Sequence, residues 1–361
     1  MQPGCCSSDW SCGTVARMRL DALDTPVLTA DLDAIERNIV GMQRYCTEHG
    51  LALRPHIKTH KLPEIARLQV GAGARGITCQ KLGEAEVMAD AGFDDILISF
   101  PLVGAAKVER LAALAQRITV RVVGDSVAVA RGLAGLRIDF LVECDTGGAR
   151  TGVQSPEAAA ELAELVSTLD GLRFAGLMTY PTGPGTGPWL RAARQAIEAR
   201  GLPVETVSSG GTPTARHAHE LGVLTELRPG TYVYGDRACI ADGSVPLEDC
   251  ALRVVATVVS RPTPERAIID AGSKTLTSDL AAGVTGHGLV VEHPEADVYK
   301  LNEEHGMVDV SRCARQPEVG DRVTLIPNHA CGTTNLHDEV VVHRGGEVVA
   351  AYRIAARGRV R

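Results

Sequence analysis

From residue 25 to about residue 235, one rhythm repeats: a short apolar run, a turn, then a stretch with helical spacing of apolar positions. The apolar runs fall at residues 27–30, 51–55, 76–79, 95–99, 118–123, 140–144, 174–179 and 204–208, with a further candidate at 231–234. They are rich in Val, Ile and Leu and do not alternate, as parallel strands covered on both faces require. Residues 32–49 and 83–91 read as helices between them, and Asp31 stands where the first would be capped. About eight successive βα units predict an α/β fold, a (β/α)8 TIM-type barrel. A doubly wound sheet is the alternative.

After Cys250 the texture changes. Residues 252–260, 266–271, 322–327, 339–342 and 348–354 are strand-like, separated by Pro and Gly turns and almost free of helical periodicity. The pattern predicts a flexible tail at 1–20, a barrel at 21–246 and a smaller all-β C-terminal domain at 247–361. Two domains suit a chain of 361 residues. The Gly/Pro stretch 182–188 follows a barrel strand, where this fold keeps mobile active-site loops.

Hydrophobic residues make up 45% and charged residues 22%, an ordinary enzyme balance. A net charge of -7 gives no reason to expect nucleic acid or an anionic membrane as partner. No apolar run approaches the roughly 18 residues of a membrane span. Residues 1–20 lack the basic start and apolar stretch of a secretory signal; they carry Cys5, Cys6 and Cys12, and Met18 offers an alternative start. The other cysteines have no framework spacing, so reduced thiols and a cytoplasmic location are expected.

The candidate chemistry sits at strand ends. In Arg54-Pro55-His56-Ile57-Lys58-Thr59-His60-Lys61-Leu62-Pro63 a lysine lies between two histidines after an apolar run. Burial there lowers an amine's pKa and frees it as a nucleophile; a basic surface turn is the plain alternative. Asp145-Thr146-Gly147-Gly148-Ala149-Arg150-Thr151-Gly152 and Tyr180 follow later strands. Ser208-Ser209-Gly210-Gly211-Thr212-Pro213 reads as a phosphate cradle after the final barrel strand, its glycines letting backbone N–H groups approach an anion. A reactive lysine plus a phosphate site suggests pyridoxal 5′-phosphate (PLP). His329 and Cys331 lie two apart in a segment read as extended, which puts both on one face, where they could share a metal ion.

These motifs together resemble the D-threonine aldolase/D-serine dehydratase family, and the resemblance runs from about Leu23 to the end. It implies a fold-type III PLP enzyme with an alanine-racemase-like barrel and a C-terminal β domain carrying the metal site, assembled as a homodimer. By the same resemblance Lys58 is the Schiff-base lysine and Arg150 faces the pyridine nitrogen. Ser209, Gly210, Gly211, Thr212 and Tyr234 lie about the phosphate, and Tyr180 lies near the ring. His56 and His60 are candidate bases, and Glu303-Glu304-His305-Gly306 is a polar cluster that either lines the site or is a solvated loop. His329 and Cys331 match the metal position. A thiolate there favours Zn²⁺, whereas a carboxylate would favour Mn²⁺ or Mg²⁺. Aldolases of the family resemble one another in His-x-Asp and dehydratases in His-x-Cys. The cysteine therefore points to dehydration of a D-β-hydroxy-α-amino acid, such as D-serine or D-threo-3-hydroxyaspartate. Retro-aldol cleavage, racemisation and non-catalytic PLP binding are the alternatives.

Overall fold

The first apolar run forms β1 (Val27–Asp31), and here the fold departs from the predicted order. β1 does not start the barrel. It pairs with two strands from the last third of the chain, antiparallel to one and parallel to the other. The computed structural model describes residues 18–361; the predicted tail lies outside the described residues apart from its last three. Those three are tied down: Arg19 bridges Glu347, and the Val348 N–H donates to the Met18 carbonyl at 2.8 Å. Helix α1 (Leu32–Glu48) starts on Asp31, whose side chain accepts from the Asp33 and Ala34 N–H groups. Its buried residues Ile35, Ile39 and Met42 belong to a core shared with the second sheet. Burying each contributes roughly 1.5–3 kcal/mol.

Eight parallel strands make the barrel: β2 (Ala52–Leu53), β3 (Ile77–Cys79), β4 (Asp95–Ile98), β5 (Thr119–Gly124), β6 (Ile138–Cys144), β7 (Leu172–Thr179), β8 (Thr206–Ser209) and β9 (Glu226–Leu227). Their order is β2-β9-β8-β7-β6-β5-β4-β3. A His56–Thr78 bridge, with the Thr78 N–H donating to the Pro55 carbonyl, brings β2 back to β3. The crossovers are α2 (Pro63–Gly71), α3 (Leu82–Asp90), α4 (Ala105–Ala115), α5 (Val127–Gly132), α6 (Pro156–Thr168) and α7 (Thr186–Glu198), with a 3-10 helix at Ala215–Leu221. The candidate strand at 231–234 is instead a 3-10 turn, Thr231–Val233, because the Tyr234 and Gly235 N–H groups both donate back to the Thr231 carbonyl. The cradle at 208–213 therefore follows the penultimate barrel strand, and the 228–231 turn follows the last.

The barrel interior mixes an apolar cluster, Leu97, Val123, Leu141, Ala175 and Met178, with buried ions. Arg54, fully buried, reaches Glu226 at 2.8 Å and Asp95 at 2.7 Å, and Arg121 also pairs with Asp95. Such a network specifies geometry more than it stabilises, and removing one member strands the others.

The second sheet contains β10 (Leu252–Thr263), β11 (Arg266–Ile269), β12 (Gly288–Val290), β13 (Asp297–Leu301), β14 (Gly306–Asp309), β15 (Arg322–Pro327), β16 (Glu339–Arg344) and β17 (Glu347–Arg353). Its main path runs β13-β14-β11-β10-β1-β16-β17, with β15 on β10 and β12 on β15. Among the described residues of this sheet only the β1–β16 pair is parallel. Short helices α8 (Arg237–Ala241), α9 (Ser273–Leu276) and α10 (Ala330–Leu336) pack where the sheet meets the barrel. Among the described residues no helix is long and apolar enough to cross a membrane, and all seven described cysteines are free.

Candidate active site

Charged and polar side chains converge on a cavity beyond the C-terminal ends of the barrel strands, closed on one side by α8 and the start of α10. Lys58 enters it from the Ile57–Thr59 turn, which His56 caps: His56 Nδ1 accepts the Lys58 N–H at 3.3 Å. The tautomer follows from that bond, leaving Nε2–H to donate to Gln80 Oε1 and Ser99 Oγ at 3.2 and 3.1 Å. Burial holds the His56 pKa well below that of a free imidazole. The ring is thus neutral, with both nitrogens engaged.

Burial also lowers the Lys58 pKa, and nearby Arg150 and Arg228 act in the same direction. The ammonium sits 5.7 Å from the centre of the Tyr180 ring, and the Arg150 guanidinium 5.0 Å from it. Asp145 builds the loop that presents Arg150, since its Oδ1 accepts from the Gly147, Gly148 and Ala149 N–H groups. Gly152 closes that loop at φ 122°, with Asp145 N only 2.3 Å from where a Cβ would stand. No other residue fits there.

Gly211, Thr212, Gly230 and Thr231 line the same cavity, Gly230 packing against His56 and Thr59. Among the described residues, the N–H groups of Gly211, Thr212 and Thr231 donate to no protein acceptor. Gly211 has φ 118°, and a Cβ there would come 3.5 Å from the Tyr180 ring. These are unspent donors after the last two barrel strands, the usual anion site of the fold.

The segment before α10 is not the extended run that the spacing predicted. β15 ends at Pro327, His329 is the N-cap residue and Cys331 lies inside the first helical turn. The two side chains still line one cavity, with Cys331 near enough to act on the His329 imidazole. That proximity raises the His329 pKa to about 9. Burial opposes ionisation of Cys331, but His329 and Lys58 outweigh it and lower the thiol pKa. Thr59 Oγ1 lies 3.3 Å from Cys331 Sγ. His329 Nδ1 is 2.6 Å from Asp279 Oδ2, so Nε2 is the nitrogen left for a metal. Among the described residues no three His, Cys, Asp or Glu side chains are grouped to hold an ion by themselves.

Of the residues predicted from sequence, Lys58, His56, Arg150, Tyr180, Gly211, Thr212, His329 and Cys331 line this one cavity. Four others do not. His60 is fully buried between Gln69 Oε1 and the Leu62 N–H, with its pKa lowered to about 4 by burial. The Ser209 hydroxyl is spent on Thr182 at 2.6 Å, and Gly210 packs on Arg228. Tyr234 points into the core because the 231–233 turn presents Thr231 to the cavity instead; its hydroxyl has no partner there. Glu303 and Glu304 are on the solvated side, paired with Lys274.

Sequence reasoning missed Arg228, a buried guanidinium on the cavity wall, donating to Ser208 Oγ at 2.8 Å and the Thr179 carbonyl at 2.7 Å. Burial brings its pKa down to about 10. It also missed Gln80, Ser99, Asp236 and Asp279. An arginine before Pro229-Gly230 was a legible signal for the first; nothing marked the others.

The profile described as "Alanine racemase, N-terminal domain" matches residues 30–238, and that described as "Putative serine dehydratase domain" matches residues 251–343. A D-threonine aldolase from an Arthrobacter species is 39% identical over 94% of both chains. The chain belongs to the D-threonine aldolase/D-serine dehydratase family. The D-threo-3-hydroxyaspartate dehydratase of a Delftia species is 33% identical over 86% of this chain and 92% of that one; a mutant of a protein of that name has been solved in a metal-free form. The D-threonine aldolase structure from Filomicrobium marinum superposes with a TM-score of 0.89 at 35% identity, covering 96% of this chain and 99% of its own. Membership makes this chain a PLP-dependent lyase with an alanine-racemase-like fold.

Proposed function

We propose that the chain acts, with PLP and a divalent metal, on D-configured β-hydroxy-α-amino acids, removing water across Cα–Cβ to yield a 2-oxo acid and ammonia. The observation that carries this reading is the meeting of the buried Lys58 with the His329–Cys331 pair in one cavity, joined through Thr59. The cavity's chemistry fits both groups. Lys58 offers an amine for an aldehyde, and the Gly211, Thr212 and Thr231 N–H groups offer donors for a phosphate. His329 Nε2 and the Cys331 thiolate offer two donors suited to Zn²⁺, with Mn²⁺ or Mg²⁺ as weaker matches; water and substrate oxygens complete the shell. Asp279 on the far side of the imidazole supplies the carboxylate partner that orients a ligating histidine.

PLP, when bound, withdraws electrons from Cα and so acidifies its proton. The metal, when bound, acts as a Lewis acid at the β-hydroxyl. Lys58 Nζ, whose pKa burial lowers, is the group placed to take the Cα proton. Arg228, fixed at depth by Ser208 and Thr179, is the cation we assign to the ring nitrogen, which it would keep unprotonated. Arg150, half-exposed at the mouth, is then free to pair with the substrate carboxylate. His56, neutral and doubly bonded, holds the Lys58 turn instead of moving a proton.

A second reading, retro-aldol cleavage to glycine and an aldehyde, is favoured by the 39% identity to a D-threonine aldolase. Purified protein supplied with PLP, Zn²⁺ or Mn²⁺ and D-threonine separates the two. 2-Oxobutyrate with ammonia supports dehydration, glycine with acetaldehyde replaces it by the second reading, and neither pair rejects both. Activity that survives EDTA, with the substrate's configuration inverted, would make the chain a racemase. We further propose a cytoplasmic homodimer with barrel 21–246 and β domain 247–361, amended so that β1 belongs to the second sheet.

A further inference from the structure

We propose that Lys61 is a positioning residue that locks α10, and with it the His329–Cys331 pair, onto the Lys58 turn; this rests on the reading of that pair as a metal site. Lys61 is 6% exposed, yet it ends in a polar amine and adopts φ 57°, a backbone region that residues other than glycine rarely occupy. Such a combination costs stability and persists only where the surroundings compensate it. Here two partners do so. Lys61 Nζ donates to Asn335 Oδ1 at 2.7 Å, in the last turn of α10, and lies 3.2 Å from Glu84 Oε1 in the first turn of α3.

Each partner leads to the cavity. Glu84 Oε2 also accepts the Gln80 N–H at 2.7 Å, and the Gln80 side chain meets His56. Asn335 lies four residues beyond Cys331 on the same helix, one turn along its face. The other end of α10 is held separately: buried Asp236 accepts the Ala330 N–H at 3.0 Å and also caps α8. The helix is therefore clamped at both ends by residues from outside it. The Lys61 carbonyl also accepts the Ala356 N–H at 3.2 Å, which ties Lys61 itself to the C-terminal segment. Lys61 touches neither Cys331 nor His329. Its effect is on where α10 sits, and so on the distance between two donors from the second region and a lysine from the barrel.

The test measures Zn²⁺ affinity of the PLP-loaded full chain by competition with a chromogenic chelator, alongside the cofactor's absorbance band and the melting temperature. Lys61→Gln and Asn335→Leu should each weaken Zn²⁺ about tenfold, the scale of lost support around a metal site. Both should leave the cofactor band in place. The double variant should be no weaker than the stronger single, because both act through one contact. Lys61→Arg, which keeps the charge and a donor, should recover part of the loss. Zn²⁺ affinity within twofold of wild type in Asn335→Leu, or additive losses in the double variant, would overturn the clamp. So would loss of cofactor and metal together, the mark of a merely structural role. If the unmodified protein binds no divalent metal, the metal reading fails and the clamp with it. Tight wild-type binding with unaffected variants sinks the clamp alone.

Discussion

Barrel strand β6 buries every residue but one, while β17 in the second sheet alternates half-buried and exposed positions along its length. Barrel neighbours from β3 to β9 are consecutive in the chain, whereas β1 pairs with β10 and β16, both more than 200 residues away. The difference extends to the site. Lys58, Arg150, Tyr180 and the 211–212 turn are delivered by local strand–loop units, each set by its own crossover. His329 and Cys331 reach the same cavity only after long-range pairing has positioned β15 and α10. On the proposed reading, cofactor chemistry would depend on the barrel and metal chemistry on the second region, which should be separable by mutation.

The largest separation is expected from Lys58→Ala. Removing the amine that moves the Cα proton should cut kcat by at least ~10³-fold and abolish the visible absorbance of lysine-linked cofactor. Loss of activity with that band intact would place the linkage elsewhere and break the barrel half of the comparison. Next comes the second region: His329→Ala should lower kcat/KM by roughly 10²–10³-fold and remove Zn²⁺ binding, with the cofactor band unchanged. If the band disappears too, the two regions do not act separately.

The same contrast explains what the sequence disclosed. Alternating short apolar runs and helices made the barrel legible, because each βα unit is local and its strands are buried on both faces. β1 was misplaced because a four-residue apolar run carries no mark of its partner, and its partners lie at the other end of the chain. Lys58, His329 and Cys331 were legible through residue type and spacing, although His-x-Cys stands on a helix start and not in an extended run. Any short arc brings residues two apart near one another, so both side chains reach the cavity although the segment is not extended. Tyr234 failed for the opposite reason: a single 3-10 turn sent it inward and Thr231 outward. Arg228 and Asp279 act through contacts that only folding creates, 20 to 50 residues away in sequence.

A smaller effect separates the regions by pH. His60 is buried neutral in the barrel, its pKa about 4 against 6.5 for a free imidazole. Between those values the unfolded chain binds more protons than the folded one, so stability rises with pH and is lost as pH falls from 6.5 towards 4. The contribution is about 3 kcal/mol over the full window. Denaturant titrations at pH 7 and pH 4.5 should show a larger loss for wild type than for His60→Gln. Equal losses would mean that protonation of His60 does not set the acid sensitivity.

The smallest predicted effect bears on which barrel arginine faces the cofactor. Arg228 uses the geometry of its guanidinium: one nitrogen donates to Ser208 and another to the Thr179 carbonyl, both in a site closed to solvent. Lysine has one nitrogen on a flexible stem and cannot span both acceptors. Arg228→Lys should therefore misplace the charge beside the ring, shift the cofactor absorbance and lower kcat about tenfold, by analogy with other lost supports of a reactive group. Arg150 is about half-exposed, with Glu143 at 3.8 Å as its ion-pair partner, so Arg150→Lys keeps a cation at the mouth. That change should raise KM several-fold, because a point charge replaces a bidentate grip on the substrate carboxylate, and should leave the absorbance alone. The split between a spectral shift in one variant and a KM change in the other is the decisive reading. Should the shift follow Arg150→Lys and not Arg228→Lys, the ring-facing cation is Arg150, as its motif first suggested, and the buried Arg228 belongs with Arg54 and Glu226 among the ions that shape the barrel.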